Sequence, residues 1–285
     1  YYNNTGVVKD SRYDRLTFNL NINHKLSNRF SISNSFKASY SITERSDGVF
    51  ASAVRTLPFN PMWDLDSAGN EIEGKLPDRL FQNEHPFVHV YRNNRTRVSR
   101  MINNLFLDAE ISKNLNWRSS FGIDFRSEKE SWFEKGVALQ NPQRISRAQK
   151  VNNFLFLNEN TLTYNHSFSN GHELDVIVGF TVQKNELNTL RVEGKGAGSD
   201  YIPTLNASTH VNYFNIDDKI LPGIYSYNTG WGILSLVSRL NYSIKDKYLF
   251  SISFRRDGSS RFGENNKFAN FPAISAGWRL INEPF

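Results

Sequence analysis

Residues able to do chemistry are scattered through this sequence as pairs and short runs. His85 and His89 stand four apart, a spacing that can hold a metal ion on a helix, but they lack the HExxH pattern and lie in sequence that reads as a loop. Asp64-Leu65-Asp66-Ser67-Ala68-Gly69-Asn70-Glu71 spaces its oxygens much as a calcium loop does, yet Lys75 occupies the place of the bidentate Glu. A simple turn is expected there, with an irregular Ca²⁺ site as the alternative, and no cofactor is expected. Gly194-Lys195-Gly196-Ala197-Gly198-Ser199 is glycine-rich without the GxxxxGK[ST] order of a phosphate cradle. The pair Asp217-Asp218 sits in polar sequence and reads as water-facing. No acid/base pair has a defined placement, so hydrolysis, and enzymatic activity generally, is not expected. With no Cys, disulfides, thiolate metal sites and cysteine nucleophiles are excluded. What remains is binding chemistry. Trp63, Asp64, Trp132, Tyr213, Tyr225 and Tyr227 offer ring faces and a carboxylate in stretches read as loops, the means by which sugars are gripped. Packing of loop on loop is the competing use of each.

The elements that must position these residues are strands. Side chains of a strand alternate between two faces. Leu16, Phe18, Leu20 and Ile22 alternate with Arg15, Thr17, Asn19, Asn21 and Asn23, and beyond Ser27-Asn28 the pattern restarts, with Phe30, Ile32, Phe36, Ala38 and Tyr40 against Ser31, Ser33, Ser35, Lys37 and Ser39. This is a hairpin with one greasy and one polar face. Three further hairpins follow, turning near Ser112-Lys113-Asn114, Ser169-Asn170-Gly171 and Lys245-Asp246, and a ninth strand carries Ile274, Ala276, Trp278 and Leu280. About nine strands of about 9–13 residues are expected. Short turns alternate with long connections over 44–97, 127–150, 184–230 and 257–270.

Loops so long are uncommon in compact soluble domains, whereas short turns at one end and long loops at the other characterise outer-membrane barrels. Tyr40, Trp117, Tyr164, Tyr242, Tyr248 and Trp278 fall near strand ends on the apolar face, where rings with a polar tip meet lipid headgroups. The fold class is therefore all-β, an antiparallel up-and-down transmembrane β-barrel segment with short periplasmic turns and long extracellular loops, located in the outer membrane. Mean hydropathy is −0.53 and no run of about 18 apolar residues exists, so no helix is expected to cross the membrane. The net charge of +6 is spread along the chain without a basic block, so nucleic acid is not an expected partner. Nine strands would leave two open edges, and edges cannot face lipid. Residues 1–285 are accordingly expected to be one part of a barrel.

Four linked segments carry a family resemblance. They are Leu236-Val237-Ser238-Arg239-Leu240-Asn241-Tyr242 leading to Asp246-Lys247-Tyr248-Leu249, then Arg255-Arg256-Asp257-Gly258-Ser259-Ser260-Arg261-Phe262-Gly263, Phe271-Pro272-Ala273-Ile274-Ser275-Ala276-Gly277-Trp278-Arg279, and Asn282-Glu283-Pro284-Phe285. In this order they resemble the SusC/RagA-like TonB-dependent transporters of Bacteroidota, with Ser238 where that family usually has Gly. The resemblance implies a 22-strand barrel with an N-terminal plug that imports oligosaccharides or peptides. It also implies a SusD-like lipoprotein over the mouth and TonB-ExbB-ExbD acting through an N-terminal region absent from these residues. Arg255, Asp257, Gly258, Ser259, Ser260, Arg261 and Phe262 are read as bracing the rim, with a charge network of Arg255, Asp257 and Arg261, and contact with the lipoprotein lid or substrate is the alternative use. The alternatives are a small self-contained pore or adhesin barrel, and a soluble β-sheet domain that binds carbohydrate.

Overall fold

The computed structural model describes all residues except 9, 47, 58–60, 74–85, 137–143, 212, 217–218 and 284–285. His85, Lys75, Asp217, Asp218, Pro284 and Phe285 therefore lie outside the described residues. The described chain is dominated by one antiparallel sheet. Its path runs through β1 (Tyr2–Thr5), β2 (Arg12–Lys25), β3 (Phe30–Arg45), β6 (Arg92–Ser112), β7 (Leu115–Glu134), β8 (Ile145–Ser167), β9 (His172–Lys195), β13 (Ile224–Ile244), β14 (Tyr248–Ser259) and β15 (Phe268–Trp278). The two-residue β10 (His210–Val211) pairs with β9. Each strand follows its predecessor, so the topology is up-and-down, and the sheet is open, with β1 and β15 at its edges.

The nine expected strands correspond to β2, β3, β6, β7, β8, β9, β13, β14 and β15, but their expected lengths need correction. Strands β6, β7, β8, β9 and β13 have 21, 20, 23, 24 and 21 residues. The stretches read as loops shrink accordingly, because 127–134, 145–150, 184–195 and 224–230 are paired strand. Only about 9–11 residues are needed to cross a bilayer. Above that span both faces meet water, apolar alternation stops, and the backbone ladder continues without it.

The turns cluster at one end. At the β13–β14 turn Lys245 and Asp246 both adopt positive φ (48° and 52°), as the two central residues of a type I′ turn do, and the Lys247 N–H closes that turn on the Ile244 carbonyl at 2.9 Å. The Lys245 N–H also donates to the Gly171 carbonyl of the neighbouring turn at 2.7 Å. At the opposite end, residues 46–91 carry helices α1 (Val49–Arg55) and α2 (Pro86–Val90) and the small hairpin β4 (Asp64–Leu65)–β5 (Glu71–Ile72). Residues 196–223 carry the hairpin β11 (Tyr213–Ile216)–β12 (Lys219–Pro222).

Register separates the faces. Tyr40, Phe36, Ile32 and Phe30 share a face with Met101, Leu105 and Leu107, then with Phe125, Ile123, Phe121 and Trp117, and so on to Phe250, Ile252, Ile274 and Trp278. The top of this apolar band steps along the strands. Met101, Phe125 and Phe154 are in register, but the next partner is Glu186, and the continuous apolar run of β9 on this face begins at Val182, with Leu190 and Val192 standing apart above Lys184, Glu186 and Asn188. On β14 the partner of Leu236 is Arg256, and the band begins at Phe254. A band level in a membrane must step in this way when strands tilt. Large side chains of the band remain exposed, including Leu16, Phe18, Leu20, Phe250 and Ile274. That is the burden of an apolar face whose solvent is lipid.

The face is not uniformly greasy, which corrects the sequence reading. Asn34, Asn103, Ser119, Asn158 and Asn160 share its parity. They bond mostly among themselves or to backbone. Asn34 Nδ2 donates to Asn103 Oδ1 at 2.7 Å, Asn160 Nδ2 to Asn158 Oδ1 at 2.8 Å, and Asn158 Nδ2 to the Ser120 carbonyl at 2.9 Å.

Candidate functional site: the polar concave wall

The polar face is concave. Near the turns it forms a hollow of about 830 Å³ lined by Lys25, Ser33, Asp108, Glu110, Asn116 and Arg118. A second, of about 520 Å³, is lined by Glu173, Asp175, Asn241, Ser243, Ser251 and Ser275. Ion pairs knit this wall from strand to strand. Arg118 Nε meets Asp108 at 2.5 Å, Arg100 contacts both oxygens of Asp124 at 2.9 and 2.5 Å, and Arg92 Nε meets Glu134 at 2.7 Å.

Toward the loop end the wall becomes aromatic. Trp132 lies opposite Arg147 on β8, which lies opposite Glu193 on β9. The Arg147 guanidinium sits 4.7 Å over the indole of Trp132 and meets the buried Glu193 carboxylate at 2.5 Å, while Arg191 reaches the same carboxylate at 3.6 Å. On β13 Tyr225 faces Arg191, Tyr227 faces Thr189 and Trp231 faces Asn185, all on the concave side. Trp132, Tyr225 and Tyr227, expected in loops, are therefore strand residues on the upper wall. Trp231 was missed. It shares the parity of Tyr225 and Tyr227, a signal available once β13 is extended upward. Together these residues present ring faces, guanidinium donors and a carboxylate, a surface able to bind a polar, ring-bearing or peptidic ligand.

The other predicted site residues lie elsewhere. Trp63 stacks on Phe87 with centroids 6.3 Å apart and packs around Val88 with Tyr91, so one face of its ring is used in loop packing. Asp64 Oδ1 accepts the Leu65 N–H at 3.0 Å. Tyr213 lies on β11. Beside Asp64, Asp66 accepts the N–H groups of Ala68 and Asn70, each at 2.8 Å, so its carboxylate closes the β4–β5 turn. Hydrogen bonds from Asn70 above all hold Asp66 below the usual carboxylate range. Among the described residues no three His, Cys, Asp or Glu converge as a metal site.

His89 is buried and bonds Ser52 Oγ through Nε2 at 2.8 Å, with Arg92 Nη1 at 3.0 Å from Nδ1. A guanidinium can only donate, so Nδ1 is the acceptor and the proton belongs on Nε2, pointing toward Ser52. A base that activates a serine needs its lone pair there. The arrangement fastens α1 to α2.

In the rim motif Arg255 Nε contacts both oxygens of Asp257 at 2.8 Å. Ser260 exchanges bonds with Gly232, its Oγ accepting the Gly232 N–H at 2.8 Å and its own N–H donating to the Gly232 carbonyl at 2.9 Å. Arg261 donates its backbone N–H to Ser259 Oγ at 3.3 Å, and among the described residues the ion pair of Asp257 is with Arg255 and not with Arg261, so the expected three-residue network reduces to a pair. Gly258 lies under Phe268, where a Cβ would come within 2.4 Å of the ring. Phe262 is exposed.

An up-and-down sheet with a stepped apolar outer band and an ion-paired concave face is the wall of an outer-membrane-type β-barrel. The comparisons specify it further. No family model matches the chain. Over its whole length it is 29% identical to TonB-dependent receptor P39 of Formosa agariphila, spanning 26% of that protein. A 60-residue stretch, 21% of the chain, is 42% identical to TonB-dependent receptor SusC of Bacteroides thetaiotaomicron, 6% of whose length it covers. In structure it is similar to a chain of the RagAB peptide transporter, with a TM-score of 0.74 and 18% identity over 96% of this chain and 31% of that one. The chain thus spans about a quarter of the length of the curated relatives it matches over its whole length. Its homologues are TonB-dependent receptors, SusC among them, and its fold is that of their barrel wall.

Proposed function

We propose that this chain is a sector of the wall of an outer-membrane nutrient importer of the SusC/RagA kind. The observation that carries this reading is the opposition of faces, an apolar band that steps with strand tilt outside and an ion-paired, hydrated surface inside. Ligand, an oligosaccharide or a peptide, binds at the upper wall around Trp132, Tyr225, Tyr227 and Trp231, with Trp63, Asp64 and Tyr213 contributing from the connections above. A SusD-like lipoprotein closes the mouth. The hollows near the turns receive a plug supplied by sequence outside this chain, on which TonB-ExbB-ExbD acts. The role is passive shaping of a pathway, and no bond is made or broken by these residues.

The test is uptake. Cells lacking the gene should lose accumulation of labelled oligosaccharide or peptide and regain it with the wild-type gene. A Trp132→Ala/Tyr227→Ala variant present at equal abundance in the outer membrane should restore it only weakly. Undiminished uptake without the gene sinks the importer reading. Folding of the chain in buffer without detergent would favour a soluble carbohydrate-binding sheet instead.

A further inference from the structure

The outward face carries an arrangement of charge that its own residues do not neutralise. Arg97 on β6 lies directly opposite Lys129 on β7, and Lys129 directly opposite Lys150 on β8. All three share the parity of Met101, Phe125 and Phe154, which top the apolar band four residues below, with no register break between. Like charges directly opposite one another destabilise a sheet. On the concave wall arginines meet carboxylates. Here the nearest acid on the face, Glu44, is held by Arg95 at 3.3 Å, and Glu186 is held by Lys184 at 2.7 Å. Lys129 and Lys150 are exposed, and no ion pair is found for any of the three cations among the described residues.

Their height identifies the missing anion. Four residues along a strand tilted by roughly 40° raise the row about 10 Å above Met101, Phe125 and Phe154, within reach of the headgroup layer for long side chains, and the row is flanked by Ile42 opposite Arg97 and Leu190 opposite Lys150. Between the row and the band lie Ser99, Ser127 and Asn152, also in register, with Ser127 Oγ donating to Asn152 Oδ1 at 2.8 Å. Uncharged hydrogen-bonding groups followed by cations match a sugar-bearing headgroup that carries phosphate. We propose that Arg97, Lys129 and Lys150 form a binding site for the phosphate of an outer-leaflet glycolipid, a site on the lipid-facing side distinct from the ligand wall. This rests on the reading of the apolar face as membrane-embedded.

The test uses protein extracted from its own membrane and reconstituted in phosphatidylcholine vesicles containing either phosphorylated lipid A or the same lipid dephosphorylated. Heat-modifiable migration, recorded first, reports insertion. Bound lipid is then counted by native mass spectrometry. Wild type should retain the phosphorylated lipid preferentially, and each of Arg97→Gln, Lys129→Gln and Lys150→Gln should reduce that preference about five-fold. Lys129→Glu, which places an acid between two cations, should abolish it while raising the thermal midpoint in vesicles without lipid A. Equal retention of both lipids by wild type, or an unchanged preference in the triple Gln variant, overturns the site and shows a solvated surface only. Failure of wild type to insert overturns the barrel-wall reading itself, and shows before any lipid is counted.

Discussion

Asn34 and Asn103 face each other diagonally across β3 and β6 in the middle of the apolar band, joined by a 2.7 Å hydrogen bond. Neither amide has water to fall back on in lipid, so each makes the other tolerable. Replacing one alone, as in Asn103→Leu, is predicted to cost about 1–3 kcal/mol, whereas Asn34→Leu/Asn103→Leu should be near neutral or stabilising. Denaturant unfolding from vesicles through the double-mutant cycle measures this. Additive losses would mean that the pair is not coupled.

The two faces of β2 make an independent prediction. Leu20→Arg should destabilise insertion by about 2–4 kcal/mol, as a cation near the bilayer midplane does, and Asn19→Arg by far less. The readout is the folded fraction by heat-modifiable migration against urea. Equal costs would reject the assignment of outside and inside.

On the upper wall, Trp231→Ala and Tyr227→Ala should each weaken ligand affinity roughly ten-fold or more, as removal of an aromatic anchor does. Trp63→Ala should instead lower thermal stability with little effect on affinity, because its ring is stacked on Phe87. Calorimetric titration with oligosaccharide and with peptide separates the two outcomes.

The loops have an acid-sensitive clasp. Asp200 accepts the Gly136 N–H at 2.7 Å and the Arg144 Nε–H at 2.6 Å. Burial is the largest single influence and pushes its carboxyl up, but these hydrogen bonds, with the charges of Arg144 and Lys135, together outweigh it and leave the carboxyl lowered. A lowered carboxyl contributes stability that is complete above the unfolded value and lost as pH falls through the folded one. Protection of the Gly136 amide, its exchange rate divided into the intrinsic rate at the same pH, should therefore be constant at neutral pH and fall only below the ordinary carboxylate value of about 3.9. In Asp200→Asn the protection should be low throughout, and a wild-type protection that does not fall in acid would reject the clasp.

Gly258 and Phe268 supply a packing test. A Cβ at 258 would sit 2.4 Å from the Phe268 ring, so Gly258→Ala should destabilise the β14–β15 hairpin by about 1–3 kcal/mol, and Phe268→Ala in the same chain should recover part of that loss.

The sequence was legible where water and lipid press on opposite faces. Leu16 to Ile22, Leu174 to Val182 and Tyr248 to Phe254 announce their strands because alternation there is enforced from both sides. It stopped being legible at about Glu128, Lys184 and Gly230, where both faces are wet and only backbone pairing persists. For that reason Trp132, Tyr225 and Tyr227 sit in sequence that reads as loop, and nothing marks Trp231 until the register of β13 is known. Asn34 and Asn103 escaped notice because their partnership is a matter of register, which no single strand displays. The cation row of Arg97, Lys129 and Lys150 is hidden in the same way, since its members are more than twenty residues apart in sequence and adjacent only across strands.

Above the level of the cation row, β9 continues as paired sheet from Leu190, which lies opposite Lys150, to Lys195. At about 3.3 Å per residue and a tilt near 40° these six residues form a chimney roughly 15 Å tall. Recognition built into such a stack is rigid before any ligand arrives. Its side chains do not have to be gathered from mobile loops at the moment of encounter, so the entropy of ordering them is settled when the barrel folds. The upper wall should consequently capture ligand with little rearrangement of its own side chains.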